Sequence, residues 1–359
     1  MGSGLSQRQH ANLRLQLRIV LVSAVGGAIY GVAITLGEAG ELYLGGIVQG
    51  LFTGAFIAAW CSSFDFWLPS LRIGRWLRQL SFSRYITAKT VYYVAGIDGG
   101  IFLGQNLFAP LYGGTPWSPG DPAFIATFLG AMVVAGAVNF LMEMNTLLGR
   151  NVLINFLTGR YHQPREEQRV FLFVDMVDST QHAERLGHLE FHRMLADFFA
   201  DLTDPIMATH GEIHAYVGDQ VIVTWPLAAG VRDGNCVRCL LLMRRALAAR
   251  AAHYFARYGL SPEFRAALHA GPVVTGEMGE QKRQIVFLGD TVNTTARLEQ
   301  AARDLDMPAV VSGELLRQIE LPDGLTAISL GAQRLRGKES AVELFGLDPA
   351  QAPTASEAA

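Results

Sequence analysis

Two hydrophobic patterns divide this chain. In its first part the apolar residues come in long, nearly unbroken runs. In its second part they come in short runs separated by amphipathic stretches. Four of the early runs, at 19–37, 42–60, 90–110 and 123–147, approach the roughly 20 apolar residues that a helix needs to cross a bilayer. The later pattern predicts a strand at 170–175 and a helix at 188–209. Strands at 212–216 and 221–225 follow, turning at Gly218-Asp219. A helix at 235–258, strands at 263–269 and 283–288, and a helix at 291–304 precede the terminal strands.

Charges between the early runs orient them. Arg8, Arg14 and Arg18 precede the first run, Glu38 and Glu41 follow it, and Arg72, Arg75, Arg78 and Arg84 separate the second from the third. Asp121 is the only charge between the third and fourth, and Arg150, Arg160 and Arg165 follow the last. With basic residues on the inner side, both termini are expected in the cytoplasm of a multi-pass protein of the inner (plasma) membrane. A basic stretch before a first apolar run also fits a signal peptide, but this run is long for one and its loss would leave the same C-terminal topology. "MGSGLS" matches a myristoylation pattern, for which four spans have no need.

The boundaries that follow are a four-span membrane anchor or sensor at 1–150, a linker at 151–168, a domain of alternating strands and helices at 169–347 and a disordered tail at 348–359. Pro164 stops any helix continuing from the last span. The fold class is therefore a four-helix transmembrane bundle followed by an α+β domain whose β-α-β-β-α-β order is ferredoxin-like. Asp98 lies among glycines in the third span, where an ionisable group needs a partner or a function. Asn139 or Gln49 could bond it, or it could mark a ligand or ion site.

Composition excludes several classes. Half of the residues are hydrophobic and 17% are charged, which suits a chain with a membrane part. A net charge of −3 without a Lys/Arg block gives no nucleic-acid footprint. Three cysteines are too few for a disulfide framework. Cys236 and Cys239 form a C-x-x-C, yet they fall on an amphipathic helix without a ligand set, and core packing accounts for them better than metal or redox chemistry. "HAGPVVTGEMG" lacks the Lys-Ser/Thr of a P-loop.

Chemistry concentrates on two aspartates. Asp175 ends the strand "VFLFVD", and Asp219 sits at the hairpin tip of "YVGDQV". In a β-α-β-β core these positions can lie side by side, where two carboxylates repel unless a cation joins them. A solvated turn Asp and a helix-capping Asp remain the alternative on spacing alone.

The stretches "VFLFVDMVDST", "GEIHAYVGDQVIVTW", "HAGPVVTGEMG", "FLGDTVNTTARLE" and "RLRGKESAVELF" resemble, in order and spacing, the class III nucleotidyl cyclases, the adenylate and guanylate cyclase catalytic domain. The resemblance implies that Asp175 and Asp219 hold metal, with the Met176 backbone carbonyl as a further ligand. Two Mg²⁺ ions per site are implied, with Mn²⁺ able to substitute. It implies that Asn293 and Arg297, one helical turn apart, orient the ribose and stabilise transition-state charge. Arg336 stands where the family has a phosphate-binding Lys, with Lys338 nearby. The implied reaction attacks the α-phosphate of a bound nucleotide with its ribose 3′-hydroxyl, releasing pyrophosphate. The implied assembly is a homodimer with active sites at the subunit interface. Asp178 stands where the family commonly has Gly and is expected as an outward-facing helix cap.

Departures fall in the base pocket. Where adenylate cyclases read adenine, this chain has Ala215 and Val286, and neither can make the hydrogen bond expected there. His214, Tyr216 or Gln284 could substitute. The leading expectation is an adenylate cyclase acting on ATP. The alternatives are a cyclase of relaxed or different base specificity, taking GTP or a pyrimidine nucleotide, and a catalytically silent nucleotide-binding receptor. A ligand of the membrane domain is also open. No "GGDEF"-type hairpin points to a diguanylate cyclase.

Overall fold

The protein is described from a computed structural model that covers residues 7–39, 43–68, 71–77, 80–108, 110, 115–148, 155, 158–280, 283–334 and 341–349. The chain divides into two compact units, Met1–Leu147 and Leu148–Ala359.

The first unit is helical: α1 (Gln7–Ala39), α2 (Leu44–Phe66), the short α3 (Arg72–Leu77), α4 (Phe82–Phe108) and α5 (Pro122–Leu148). Three stretches among the described residues are long and apolar enough to cross a membrane: Leu13–Ala33, Leu44–Phe66 and Pro122–Met144. The expected third span lies on α4, which is not among them; Lys89 and Asp98 are buried charged residues on this helix. Lys89 is 4% exposed, and its Nζ lies 3.1 Å from both Asp65 of α2 and Glu143 of α5. A buried ammonium needs such partners. Tyr93 donates to the same Asp65 carboxylate at 2.6 Å. Asp98 makes neither of the bonds open to it: Gln49 donates to Gln105 instead, and neither Asp98 nor Asn139, both buried, has a hydrogen-bond partner among the described residues.

Helices α1 and α2 meet along glycines. A Cβ on Gly27 would run into the Gly50 carbonyl oxygen, one on Gly31 into that of Gly46, and one on Gly54 into that of Ser23. Small residues four apart let two apolar helices approach backbone to backbone, which is where helices in lipid gain their packing.

The second unit is built on β1 (Arg165–Met176), α6 (Ser179–Leu186), α7 (His188–Ala208), β2 (Glu212–Val217), β3 (Gln220–Pro226), α8 (Leu227–Val231) and α9 (Asn235–Tyr258). It continues through β4 (Phe264–Met278), β5 (Gln284–Leu288), α10 (Asp290–Asp304), β6 (Ala309–Ser312), α11 (Gly313–Leu316), β7 (Leu325–Gln333) and β8 (Val342–Pro349). The sheet order is β2-β3-β1-β4-β6-β8-β7, with β5 pairing β4. Its first four strands follow the β-α-β-β-α-β order read from the sequence. Because β4 and β6 run parallel, the whole sheet is mixed.

β1 is central, antiparallel to both β3 and β4. Val170, Leu172 and Val174 face a core with Met194, Phe198 and Leu202 of α7 and Leu240 and Met243 of α9. Phe171 and Phe173 face the other side with Val273 and Val292. Burial on both faces explains an unbroken apolar run instead of an alternating one. On that second side, Leu298 and Ala302 of α10 pack on Ala267 and Val310.

Part of the expected linker is folded into this unit. β1 begins at Arg165, pairing Thr275. Before it, Tyr161 is buried and its carbonyl accepts from the Glu277 backbone N–H at 3.0 Å. Those pairings were invisible in a segment whose composition is polar.

The glycine seam yields a prediction. Gly50→Val should push α1 from α2 and lower the temperature at which the detergent-purified full-length protein unfolds. An unchanged transition in scanning calorimetry would show that the seam carries no stability.

Candidate active site

Strand register brings the two aspartates to one edge of the sheet. Asp175 pairs with Gln220 of β3 and Arg265 of β4. Asp219 immediately precedes Gln220, in the β2–β3 turn that Gly218 makes possible at φ +63°. A cavity of about 600 Å³ opens here, lined by Asp175, Met176, Asp178, Asp219, Arg265 and Arg303 among others. The Asp175 carboxyl is pushed up from 3.8 to about 6, first by burial and then by the charges of Asp219 and Glu299, against the opposing pull of Arg303 and Arg265. The charge of Asp219 is thus one of the causes, after burial, that raise Asp175.

Such a site fits a divalent cation. Its donors are carboxylate oxygens, the hard ligands that Mg²⁺ prefers, and a cation would offset both the burial and the neighbouring charge that raise Asp175. Among the described residues no group of three His, Cys, Asp or Glu side chains is gathered for a metal.

Other expected residues fall in different places. Asp178 has φ +53° and precedes α6, but its side chain makes no capping bond; it is exposed at the cavity instead. The left-handed backbone accounts for the Gly common at this position, and Asp is among the few other residues that tolerate it. Asn293 and Arg297 share one face of α10 and lie outside the lining of the cavity. Asn293 is exposed, and an Arg297 guanidinium nitrogen lies 3.9 Å from Asp290. Arg336 and Lys338 lie outside the described residues.

Ala215 sits on β2 opposite Ile222, and Val286 on β5 opposite Gly276. Of the suggested substitutes, Tyr216 packs its ring on Phe199 of α7 at 4.6 Å. His214 occupies a break in register between Ile213 and Ala215, its ring 4.7 Å from Phe287. Burial and the charge of Arg169 hold its imidazole below the usual range. Cys236 and Cys239 are fully buried, with thiols pushed up to about 12 by burial, so they pack the core.

Three residues absent from the sequence reading, Arg303, Glu299 and Gln220, complete the site. Arg303 Nη2 donates to Asp175 Oδ2 at 2.9 Å and to Glu299 Oε1 at 2.8 Å. Gln220 Nε2 donates to Glu299 Oε2 at 3.3 Å. Glu299 and Arg303 are legible in sequence only as an i, i+4 ion pair on a helix. Their link to a strand end 128 residues away is not.

A family model described as "Adenylate and Guanylate cyclase catalytic domain" matches residues 161–345. The chain belongs to this family. The cyclase domain is also similar to "Adenylate cyclase 2" of Rhizobium meliloti (strain 1021), 40% identical over 217 residues that make up 60% of each chain. "Adenylate cyclase 1" of the same organism is 32% identical over 180 residues, which cover 48% of this chain and 26% of that one. The chain thus spans less than two thirds of the length of either relative. A solved structure of a bacterial light-regulated adenylyl cyclase has the same fold, with a TM-score of 0.53 and 21% identity over 66% of this chain and 68% of that one.

The raised carboxyl has a pH consequence. Between about 4 and about 6 the folded cyclase domain holds a proton on Asp175 that the unfolded chain has released, so this group weakens the fold as pH rises through that window. With metal chelated, Asp175→Asn should stabilise the protein at pH 7.5 by up to roughly 3 kcal/mol, less the lost Arg303 contact. The gain should vanish near pH 4. Calorimetry at both pH values checks this, and equal stability at pH 7.5 would count against the strained carboxylate.

Proposed function

We propose that the protein is a membrane-anchored adenylate cyclase that converts ATP to 3′,5′-cyclic AMP and pyrophosphate. The observation that carries this reading is that Asp175 and Asp219 line one cavity, with Asp175 raised first by burial and then by the charge of Asp219. Asp175, Asp219 and the Met176 carbonyl would hold two Mg²⁺ ions, with Mn²⁺ able to substitute. Such ions, when bound, acidify a coordinated hydroxyl and neutralise triphosphate charge.

The chain's own residues do the rest. Asn293 orients the ribose so that its 3′-oxygen faces the α-phosphorus in line with the leaving pyrophosphate. Arg297 and Arg336 stabilise the charge that grows on the phosphates as the new O–P bond forms and the α–β bridge breaks, with Lys338 beside them. The 3′-hydroxyl proton leaves to solvent.

Asn293 and Arg297 stand apart from the carboxylate cavity of their own chain, which supports a homodimer in which one protomer supplies the carboxylates and its partner supplies the Asn/Arg pair. Tyr216 and Val217 on β2, and Val274, Met278 and Leu288 on the β4–β5 hairpin, are exposed apolar residues suited to such an interface. The first unit would anchor the enzyme through four spans, α4 supplying the third with Lys89 turned to Asp65 and Glu143. The positive-inside pattern puts both termini and the cyclase domain on the cytoplasmic side of the inner (plasma) membrane.

ATP is preferred because the relative with the highest identity reported above is named an adenylate cyclase. Ala215 and Val286 favour a second reading, a cyclase of relaxed base specificity that also takes GTP or pyrimidine nucleotides.

Purified full-length protein with Mg²⁺ should form cyclic AMP from ATP in excess over the cyclic products of GTP, CTP and UTP. Comparable rates would favour the relaxed reading, and no product at all would leave a nucleotide-binding receptor. Asp175→Ala should abolish turnover, and Arg297→Ala should lower kcat by about 100-fold or more. Co-expressing these two variants should restore part of the activity, because one hybrid site then holds an intact set. No recovery would rule out sites shared between protomers.

A further inference from the structure

The side chains around Asp175 form a continuous bonded path. It runs from Asp175 Oδ2 to Arg303 Nη2, on to Glu299 Oε1, and from Glu299 Oε2 to Gln220 Nε2, with steps of 2.9, 2.8 and 3.3 Å. It starts on β1, crosses α10 and returns to β3 at the residue after Asp219. Asp175 is 15% exposed at its side chain, whereas Arg303 is 50% exposed. A half-exposed ion pair adds little to stability, so this contact matters mainly for where it holds the carboxylate.

We infer that Arg303, held by Glu299, is a positioning residue that fixes the Asp175 carboxylate for cation binding. This rests on the reading of Asp175 as a metal ligand. By gripping Oδ2, Arg303 sets the rotation of the carboxylate and leaves Oδ1 as its free oxygen. Glu299 is one helical turn before Arg303, so the pair is braced along the helix. The helix itself is pinned to the sheet by Leu298 and Ala302, both fully buried. Outer partners of this kind orient metal ligands and commonly change metal affinity when removed.

The same helix carries Asn293 and Arg297, the latter six residues before Arg303. At 1.5 Å per residue this is about 9 Å of rigid rod. A shift of α10 therefore moves the Asn/Arg pair and the grip on Asp175 together.

Binding of Mn²⁺ alone to the detergent-purified full-length protein, followed by electron paramagnetic resonance, tests the inference without relying on turnover. Arg303→Ala should raise the Mn²⁺ dissociation constant about 10-fold or more. Arg303→Lys should recover part of that loss, since it returns a cation to Oδ2. Glu299→Gln should weaken binding in the same direction, and adding it to Arg303→Ala should cost little more, because both act through one contact. Unfolding temperatures close to that of the unaltered protein separate the effect from misfolding. Unchanged affinity in Arg303→Ala would overturn the inference, and tighter binding would overturn it by making Arg303 a competitor of the cation. Asp175→Asn is the reference. If it binds Mn²⁺ as the unaltered protein does, the metal-ligand reading itself fails. If it loses binding while Arg303→Ala does not, only the positioning role fails.

Discussion

Two carboxylates held at the ends of neighbouring strands repel each other, and much of the second unit works to keep them there. Asp175 cannot move away because β1 is paired on both edges and its five preceding residues, 170–174, are almost wholly buried. Asp219 cannot retreat either, since the tight Gly218 turn returns the chain directly into β3. The apolar energy of the β1 core, of order 1.5–3 kcal/mol for each large side chain buried, outweighs the cost of one raised carboxyl. The repulsion left over is what suits the edge to a divalent cation.

Around this edge, α10 gathers the charge that the strands do not supply. Its apolar stripe seats it on the sheet, and its polar stripe divides along its length. Asn293 and Arg297 are not among the residues lining the carboxylate cavity, while Arg303 lines it and is bonded to Glu299. One amphipathic helix thus carries two separate polar pairs, because residues four apart share a face while the helix advances about 6 Å between them.

The first unit follows a different solvent logic. In α1 and α2 the glycines permit contact between backbones, and in α4 Lys89 and Asp98 are buried charged positions. Lys89 joins α2 and α5 through Asp65 and Glu143. Asp98 stands in that helix without a bonded partner among the described residues.

Much of this was already present in the order of residues. The unbroken run from Val170 to Val174 marked a strand buried on both faces, the Gly218-Asp219 pair marked a hairpin, and the boundaries of α9 followed its apolar period, because all three depend on neighbours within a few positions. Asp175 and Asp219 were legible as partners once the strand order was assumed. What the linear chain could not decide were contacts set by register and by helix docking. The grip of Arg303 on Asp175 spans 128 residues, the folding of Tyr161 and Arg165 onto β4 joins a polar segment to a distant strand, and the left-handed turn at Asp178 removes a cap that composition suggested. Local pattern specifies which elements form, since backbone hydrogen bonds and side-chain period act at short range. Which side chains then meet depends on packing between elements, and only the closed tertiary structure determines that.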